Sequence, residues 1–374
     1  MLYSQGSTGR LGRKKLPSPN RDRACDELAN AIDTSSDQQR LWVADEHHLS
    51  EQLLNQLAAQ NIHLISNRYD QFTRAKQAGV KAVFNDFDLC HPQGQKWDSI
   101  FFRVSKEKAV VHRIINSAVN LLQNNGNLWI SGYKNEGTKT YLTKAAKALG
   151  STPSVKRSKE QLFVAQIGLN EAGELLADDD YSQLRRVEMS KAQTFWSKPG
   201  LFGWKRIDQG SAFLVESLTE LAKSGDLDIE SSSVLDLGCG YGYLASAAAE
   251  LNTKSIVATD NCKAAILACQ KNLEKFSNQN YLCLASDCAK EVEGKFDLIL
   301  CNPPFHAGFS SSSELHQKFI DAIRTKLSPD GEALVVVNQF LRLKALCEEN
   351  GLKILSEQRD NKRHFDLYRL TRTR

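Results

Sequence analysis

One succession of apolar runs and helical patterns occurs twice along this chain, and that repetition restricts its fold more than any other feature. In the second half, residues 232–238 (SSVLDLG) form a short apolar run closed by glycine, as a buried strand does. An alanine-rich helical stretch follows, then a strand at 255–260 (SIVATD) and a helix at 262–276 with apolar positions at helical spacing. A third strand at 281–287 (YLCLASD) precedes a fourth at 296–301 (FDLILC), which is stopped by prolines. Residues 314–327 read as a helix, 328–331 (SPDG) as a turn and 332–338 (EALVVVN) as a fifth strand; a last helix and two strands close the chain. The first half repeats this order at 40–45 (RLWVAD), 62–67 (IHLISN), 81–86 (KAVFND) and 97–106 (WDSIFFRVSK), then in a helix, turn and strand over 109–133. The closing segments also match, 154–167 against 357–370. Strands alternating with such helices predict a mainly parallel sheet covered on both faces, so the expected fold is α/β, one unit duplicated in tandem.

The expected organisation is a flexible basic tail over 1–36, a first α/β domain over 37–170, a linker over 171–195 and a second domain over 196–374. The tail gathers Arg10, Arg13, Lys14, Lys15, Arg21 and Arg23 with little to bury. It reads as a solvated extension or as an arm for RNA phosphates. The linker is polar and helix-prone, with no core of its own. A chain of 374 residues, 41% hydrophobic and 25% charged, supports two cores, and a net charge of +4 permits a nucleic-acid partner without arguing for one. Nine cysteines with irregular spacing and no CxxC pair argue against a zinc site or a disulfide framework and suit a cytoplasmic protein. No apolar run is long enough for a membrane span, and the N-terminus lacks the apolar core of a secretory signal.

The chemistry concentrates in the second half. Residues 236–242 (DLGCGYG) follow a strand and open a helix. Gly238, Gly240 and Gly242 are suited to a sharp turn that a ligand approaches closely, with Asp236 ahead of them. Asp260 ends the next strand, where a carboxylate can accept both hydroxyls of a ribose. These two elements imply an adenosine-containing cofactor and fit NAD as well. Asp287 ends the third strand, where an acidic side chain can accept an adenine amino group or simply cap a helix. The fourth strand exits into Asn302, Pro303, Pro304 and Phe305. Prolines stiffen that exit and hold the Asn302 amide and Pro303 carbonyl toward a cleft, as two acceptors for the hydrogens of a planar NH2 group. Phe305 can stack on a flat substrate. Positioning of this kind suffices for attack on a sulfonium methyl, so His306 is expected to be a neighbour rather than a base. In the first half, residues 43–48 (VADEHH) replace the glycine loop, Asn67 or Asp70 stands near the Asp260 position, and residues 103–106 (RVSK) replace the NPPF tetrapeptide. That half is expected to bind no such cofactor, and to hold RNA or brace its partner. The adjacent His47 and His48 read as surface histidines rather than a metal site.

The glycine loop, Asp260 and the NPPF tetrapeptide resemble those of class I S-adenosylmethionine-dependent amino-methyltransferases, a Rossmann-like fold. Residues 200–218 (GLFGWKRIDQGSAFLVESL) and 302–308 (NPPFHAG) resemble the bacterial ribosomal RNA guanine-N2 methyltransferases, of the small-subunit methyltransferase C and large-subunit methyltransferase G type. The resemblance implies a degenerate N-terminal copy of the fold, S-adenosylmethionine as cofactor, no metal, and ribosomal RNA within a ribosomal particle as partner. It implies methyl transfer to the exocyclic N2 amine of a guanine, in 16S ahead of 23S RNA, by a monomer. It also places Phe202, Asp208 and Gly210 near the cofactor or the substrate. An adenine N6 amine, a protein glutamine amide, or a non-catalytic RNA-binding assembly factor are the alternatives.

Overall fold

A computed structural model describes residues 22–32, 38–158, 160–190, 193–304, 312–341 and 343–373. The first unit comprises α1 (Arg23–Ala29), β1 (Arg40–Ala44), α2 (Glu51–Ala59), β2 (His63–Ser66), α3 (Tyr69–Gln77), β3 (Lys81–Phe84), β4 (Trp97–Arg103), α4 (Lys108–Leu121), β5 (Leu122–Tyr133), α5 (Thr138–Leu149), β6 (Ser154–Arg157) and β7 (Leu162–Gly168). A hairpin of β8 (Arg185–Ser190) and β9 (Gln193–Ser197) follows. The second unit comprises α6 (Gln209–Ser224), β10 (Ser233–Leu237), α7 (Tyr243–Glu250), β11 (Ser255–Asp260), α8 (Lys263–Leu273), β12 (Tyr281–Ala285), β13 (Phe296–Cys301), α9 (Ser312–Lys326), β14 (Leu327–Asn338), α10 (Leu343–Glu349), β15 (Leu352–Asp360) and β16 (Phe365–Arg372).

The two sheets have one topology. Each has seven strands, ordered β3-β2-β1-β4-β5-β7-β6 and β12-β11-β10-β13-β14-β16-β15. In each the inner strands are parallel and the last two join antiparallel. The registers superpose residue by residue. Trp97 and Phe296 face the first residues of the neighbouring strands, Leu122 and Leu327, and in both copies the pairing then shifts to Ser99↔Asn127 and Leu298↔Glu332. The segment expected as an SPDG turn is thus a register shift inside β14. Gly331 makes it possible, since a Cβ there would come within 2.7 Å of the Phe296 carbonyl oxygen. Buried Val, Ile and Leu of β1 and β4 and of β10 and β13 are sandwiched between helices on both faces, as central parallel strands require.

Two expectations about the connecting segments are corrected. Residues 22–32, assigned to the flexible tail, include a docked helix: Asp22 caps α1 by accepting from Cys25 N at 2.9 Å, and Cys25, Leu28, Ala29 and Ile32 are buried. Its apolar stripe was hidden among polar neighbours. The rest of the basic tail, from residue 1 to Arg21, lies outside the described residues. The helix-prone linker instead contains the β8–β9 hairpin and is pinned at both ends. Tyr181 is buried in the first core and Phe195 in a cluster with Tyr241 and Cys262. Lys198, 2% exposed, pairs with Asp86, which also accepts from the Tyr181 hydroxyl at 2.9 Å. No helix among the described residues is long and apolar enough to cross a membrane.

The two copies meet through equivalent loops. Tyr69 N donates to Asn261 O and Lys263 N to Asn67 O, both at 2.8 Å, across an antiparallel bridge between Arg68 and Cys262. A reciprocal exchange of this kind is what a two-fold relation between copies produces.

Candidate active site

The carboxyl ends of the second sheet open into a cleft of about 900 Å³. Parallel strands place ligands there because their ends splay apart at the point where the strand order reverses, here between β10 and β13. Gly238, Gly240, Asp260, Asp287, Asn302, Pro303, Pro304, Phe202 and Asp208 all line this cleft, so sequence candidates from five separate segments converge. Phe305 and His306 lie outside the described residues.

The glycines differ in task. Gly238 (φ 84°) and Gly240 (φ 53°) are left-handed, and nothing stands within 4 Å of where a Cβ on Gly240 would be. That opening lets a ligand reach the backbone. Gly242 (φ 89°) does not line the cleft; a Cβ there would meet Cys269 Sγ at 2.7 Å, so it allows α7 to pack on α8. Asp236 is likewise behind the wall. It is fully buried, and its Oδ2 accepts from Ala245 N at 2.9 Å, tying the loop to the first turn of α7. Burial pushes its carboxyl up to about 7, against the opposing pull of the Ala245 N–H. Gly210 also stands behind, because a Cβ there would press on the Phe365 ring at 2.8 Å.

Asp260 accepts from Gly240 N at 3.0 Å and Cys262 N at 2.8 Å, which orients its carboxylate on the cleft wall. Burial raises its pKa, while the two N–H groups and the Arg68 guanidinium pull the other way. An open glycine beside an oriented carboxylate fits the ribose and backbone contacts of an adenosine-bearing cofactor. Asp287 is held by Lys290 Nζ at 2.7 Å and Lys318 Nζ at 3.1 Å. Burial alone raises it, but the two lysines outweigh this and leave it below the usual carboxylate range. Asn302 follows β13 directly, and its Nδ2 donates to Asp208 Oδ2 and Ser211 Oγ, each at 2.8 Å. Asp208 is the N-cap of α6.

Sequence reasoning missed Ser211, and it missed that the first copy reaches the cleft through Glu46, Arg68, Lys106 and Glu107. Ser211 sits one turn into a helix beside a recognised residue, so spacing from Asp208 signals it. Arg68 follows only from how the copies meet. The register also corrects the match to Asp260. Ala44↔Ser66 in the first sheet corresponds to the step after Leu237↔Thr259 in the second, so Ser66 holds the Asp260 position rather than Asn67 or Asp70. Ser66 Oγ accepts from Arg68 N at 3.0 Å just as Asp260 accepts from Cys262 N. His47, expected at the surface, is 14% exposed, bonded to Val104 O at 2.9 Å and paired with Asp22 at 3.1 Å.

Comparison with known proteins places this architecture. Residues 31–159 match the N-terminal "Methyltransferase small domain" model and residues 192–368 the "Methyltransferase small domain" model itself. A ribosomal RNA small subunit methyltransferase C from Marinomonas sp. is 26% identical over 276 residues, spanning 73% of this chain and 77% of that protein. One from Actinobacillus succinogenes is 35% identical over 162 residues, 42% of this chain and 45% of that protein. Among solved structures, a T. thermophilus 16S rRNA N2 methyltransferase in complex with AdoMet and guanosine matches with a TM-score of 0.77 at 23% identity, over 95% of this chain and 93% of that one. The last similarity establishes a shared two-domain fold. With both family models satisfied in order along one chain, the protein belongs to the methyltransferase small-domain family.

Proposed function

We propose that this chain transfers a methyl group from S-adenosylmethionine to the N2 amine of a guanine in 16S ribosomal RNA. The observation that carries the reading is the convergence of Asn302 and Pro303 with Gly238, Gly240 and Asp260 on one cleft. The named relatives supply the substrate class. Catalysis is assigned to the domain over 196–374, and the copy over 37–170 buttresses it.

When bound, S-adenosylmethionine supplies a methyl group on a positively charged sulfur, an electrophile that needs no further activation. Gly238, Gly240 and Asp260 hold the adenosine, with Asp287 at its adenine end. Asn302 and the Pro303 carbonyl accept the two hydrogens of the guanine amine, which fixes the plane of the base and concentrates electron density on the nitrogen. A guanine offered this way is unpaired or turned out of its helix. Phe305 stacks on it and Phe202, 61% exposed, lies at the rim. The product amine sheds its surplus proton to water, so His306 serves as a neighbour and not as a base. The partner is the RNA within a ribosomal subunit, in the cytoplasm, and the enzyme acts as a monomer because its two copies already occupy each other's equivalent loops.

The test incubates the protein with radiolabelled S-adenosylmethionine and undermethylated small or large ribosomal subunits separately, then digests the RNA to nucleosides. Label in N2-methylguanosine from the small subunit is expected. Cofactor binding without label in RNA overturns the reading.

A further inference from the structure

Asn302 has its side chain oriented before any substrate arrives. A carboxylate only accepts, so the donation from Nδ2 to Asp208 Oδ2 fixes which way the amide lies: nitrogen toward α6, Oδ1 away from it. Ser211 Oγ takes the second hydrogen of the same nitrogen. Asp208 Oδ2 cannot swing, because it also caps α6 by accepting from Ser211 N at 2.9 Å. One carboxylate oxygen therefore joins the start of a helix to the residue at the end of β13. We propose that Asp208, assisted by Ser211, is a positioning residue that turns Asn302 Oδ1 toward the substrate amine, an inference that rests on the function proposed above.

The first copy provides independent support. Counting on from Trp97 and Phe296 in the shared register, Arg103 stands where Asn302 does. Arg103 Nε donates to both oxygens of Asp22 at 3.3 Å, and Asp22 caps α1 through Cys25 N. A cap carboxylate that grips the residue ending the fourth strand is thus present in both copies. What remains on offer depends on the gripped residue. A guanidinium has only donors, and Arg103 commits more of them to Glu136 at 2.7 Å and to Val104 O at 3.1 Å. An amide whose nitrogen is taken still carries an acceptor, the group an amine substrate requires. The grip is common to the fold, and the exchange of arginine for asparagine makes it serve amine recognition.

The experiment compares Asp208→Ser and Asp208→Asn in the full chain on small ribosomal subunits. Serine still caps the helix but is too short to hold Asn302; asparagine keeps both the cap and an acceptor. D208S is expected to lower kcat about a hundred-fold with cofactor affinity and Tm little changed, and D208N to recover most of it. A second pair reads a property that mere packing does not move. In N302D two carboxylates face each other, so activity should appear only as pH falls and the pair binds a proton. N302D/D208N removes the repulsion and should flatten that pH profile. Wild-type kcat in D208S, or the same pH profile in N302D and N302D/D208N, active or not, overturns the proposal. If D208S proves unfolded, the N302D pair decides. Absence of methyl transfer by the unmutated protein fails the guanine reading instead, and is seen without any variant.

Discussion

Replacing Asp236 by asparagine should remove a penalty that grows as pH rises toward neutrality. Asp236 is 0% exposed at the end of β10, one oxygen accepting from Ala245 N and Oδ1 without a hydrogen-bond partner among the described residues. Burial disfavours its charged form, which moves the carboxyl from 3.8 to about 7. Below pH 4 both folded and unfolded chains carry the proton, and the group is neutral to stability. Between pH 4 and 7 the folded chain keeps a proton that the unfolded chain has lost, so stability falls as pH rises. Above pH 7 both are ionised and the full loss is reached, about 4 kcal/mol for a shift of this size. Asparagine is nearly isosteric with the protonated acid, keeps an acceptor for Ala245 N and cannot ionise. Urea unfolding of D236N and the parent from pH 4 to pH 8 isolates this residue, since every other titrating group is common to both. The stability difference, D236N minus parent, should climb by about 1.4 kcal/mol per pH unit and level off near pH 7. A difference that stays constant over that range refutes the reasoning, because it means the buried carboxylate ionises as it does in water.

Three further perturbations separate binding, chemistry and architecture. Asn302→Ala should lower the rate of methyl transfer about a hundred-fold or more while calorimetry shows cofactor affinity unchanged. The last two loop glycines should part company. Gly242→Ala drives a Cβ to 2.7 Å from Cys269 Sγ and should cost about 2–3 kcal/mol in unfolding experiments. Gly240→Ala meets nothing within 4 Å and should cost about 1 kcal/mol in stability while weakening cofactor binding. Lys198→Met leaves the largely covered Asp86 with only the Tyr181 hydroxyl among the described residues and should destabilise by about 3 kcal/mol, most of it recovered in the double variant D86N/K198M.

The fold was legible because doubly wound α/β units advertise themselves: each inner strand is a continuous apolar run, each helix has an apolar stripe, and glycines and prolines mark the joints. That candidate residues at strand ends would gather in one place was legible for the same reason, since the fold brings the ends of β10, β11, β12 and β13 together. Three kinds of feature were not. Helix α1 is only seven residues long, and its apolar Cys25, Leu28 and Ala29 are diluted by charged neighbours. The β8–β9 hairpin has no Asn-Gly or Asp-Gly turn to announce it, and it is fixed by tertiary contacts of Tyr181, Phe195 and Lys198. Within the glycine loop, sequence spacing could not tell Gly240, which faces the cleft, from Gly242, which faces Cys269; only the packing of α7 on α8 distinguishes them.

The two copies differ at the residues that border the cleft in the second. In the first copy two acidic side chains of the vestigial loop are answered from within the protein. Glu46, at the place of Gly240, accepts from Lys106 N at 2.8 Å. Asp45 accepts from Ser105 Oγ at 2.7 Å and from Arg68 Nε at 3.2 Å. These side chains thus make their hydrogen bonds within the first copy. In the second copy those two places hold Cys239 and the open Gly240, and the oriented carboxylate of Asp260 stands where the first copy has Ser66. The loss in one copy is nevertheless of use to the other. Because the copies meet loop to equivalent loop, Arg68 lies opposite Cys262, and its charge reaches Asp260 from across the boundary. Burial drives that carboxylate toward its neutral form, and Arg68 opposes this together with the larger pull of the Cys262 and Gly240 N–H groups. The first copy thus places a cation near the carboxylate proposed to hold the ribose, where it adds to the Gly240 and Cys262 N–H groups that already orient that side chain.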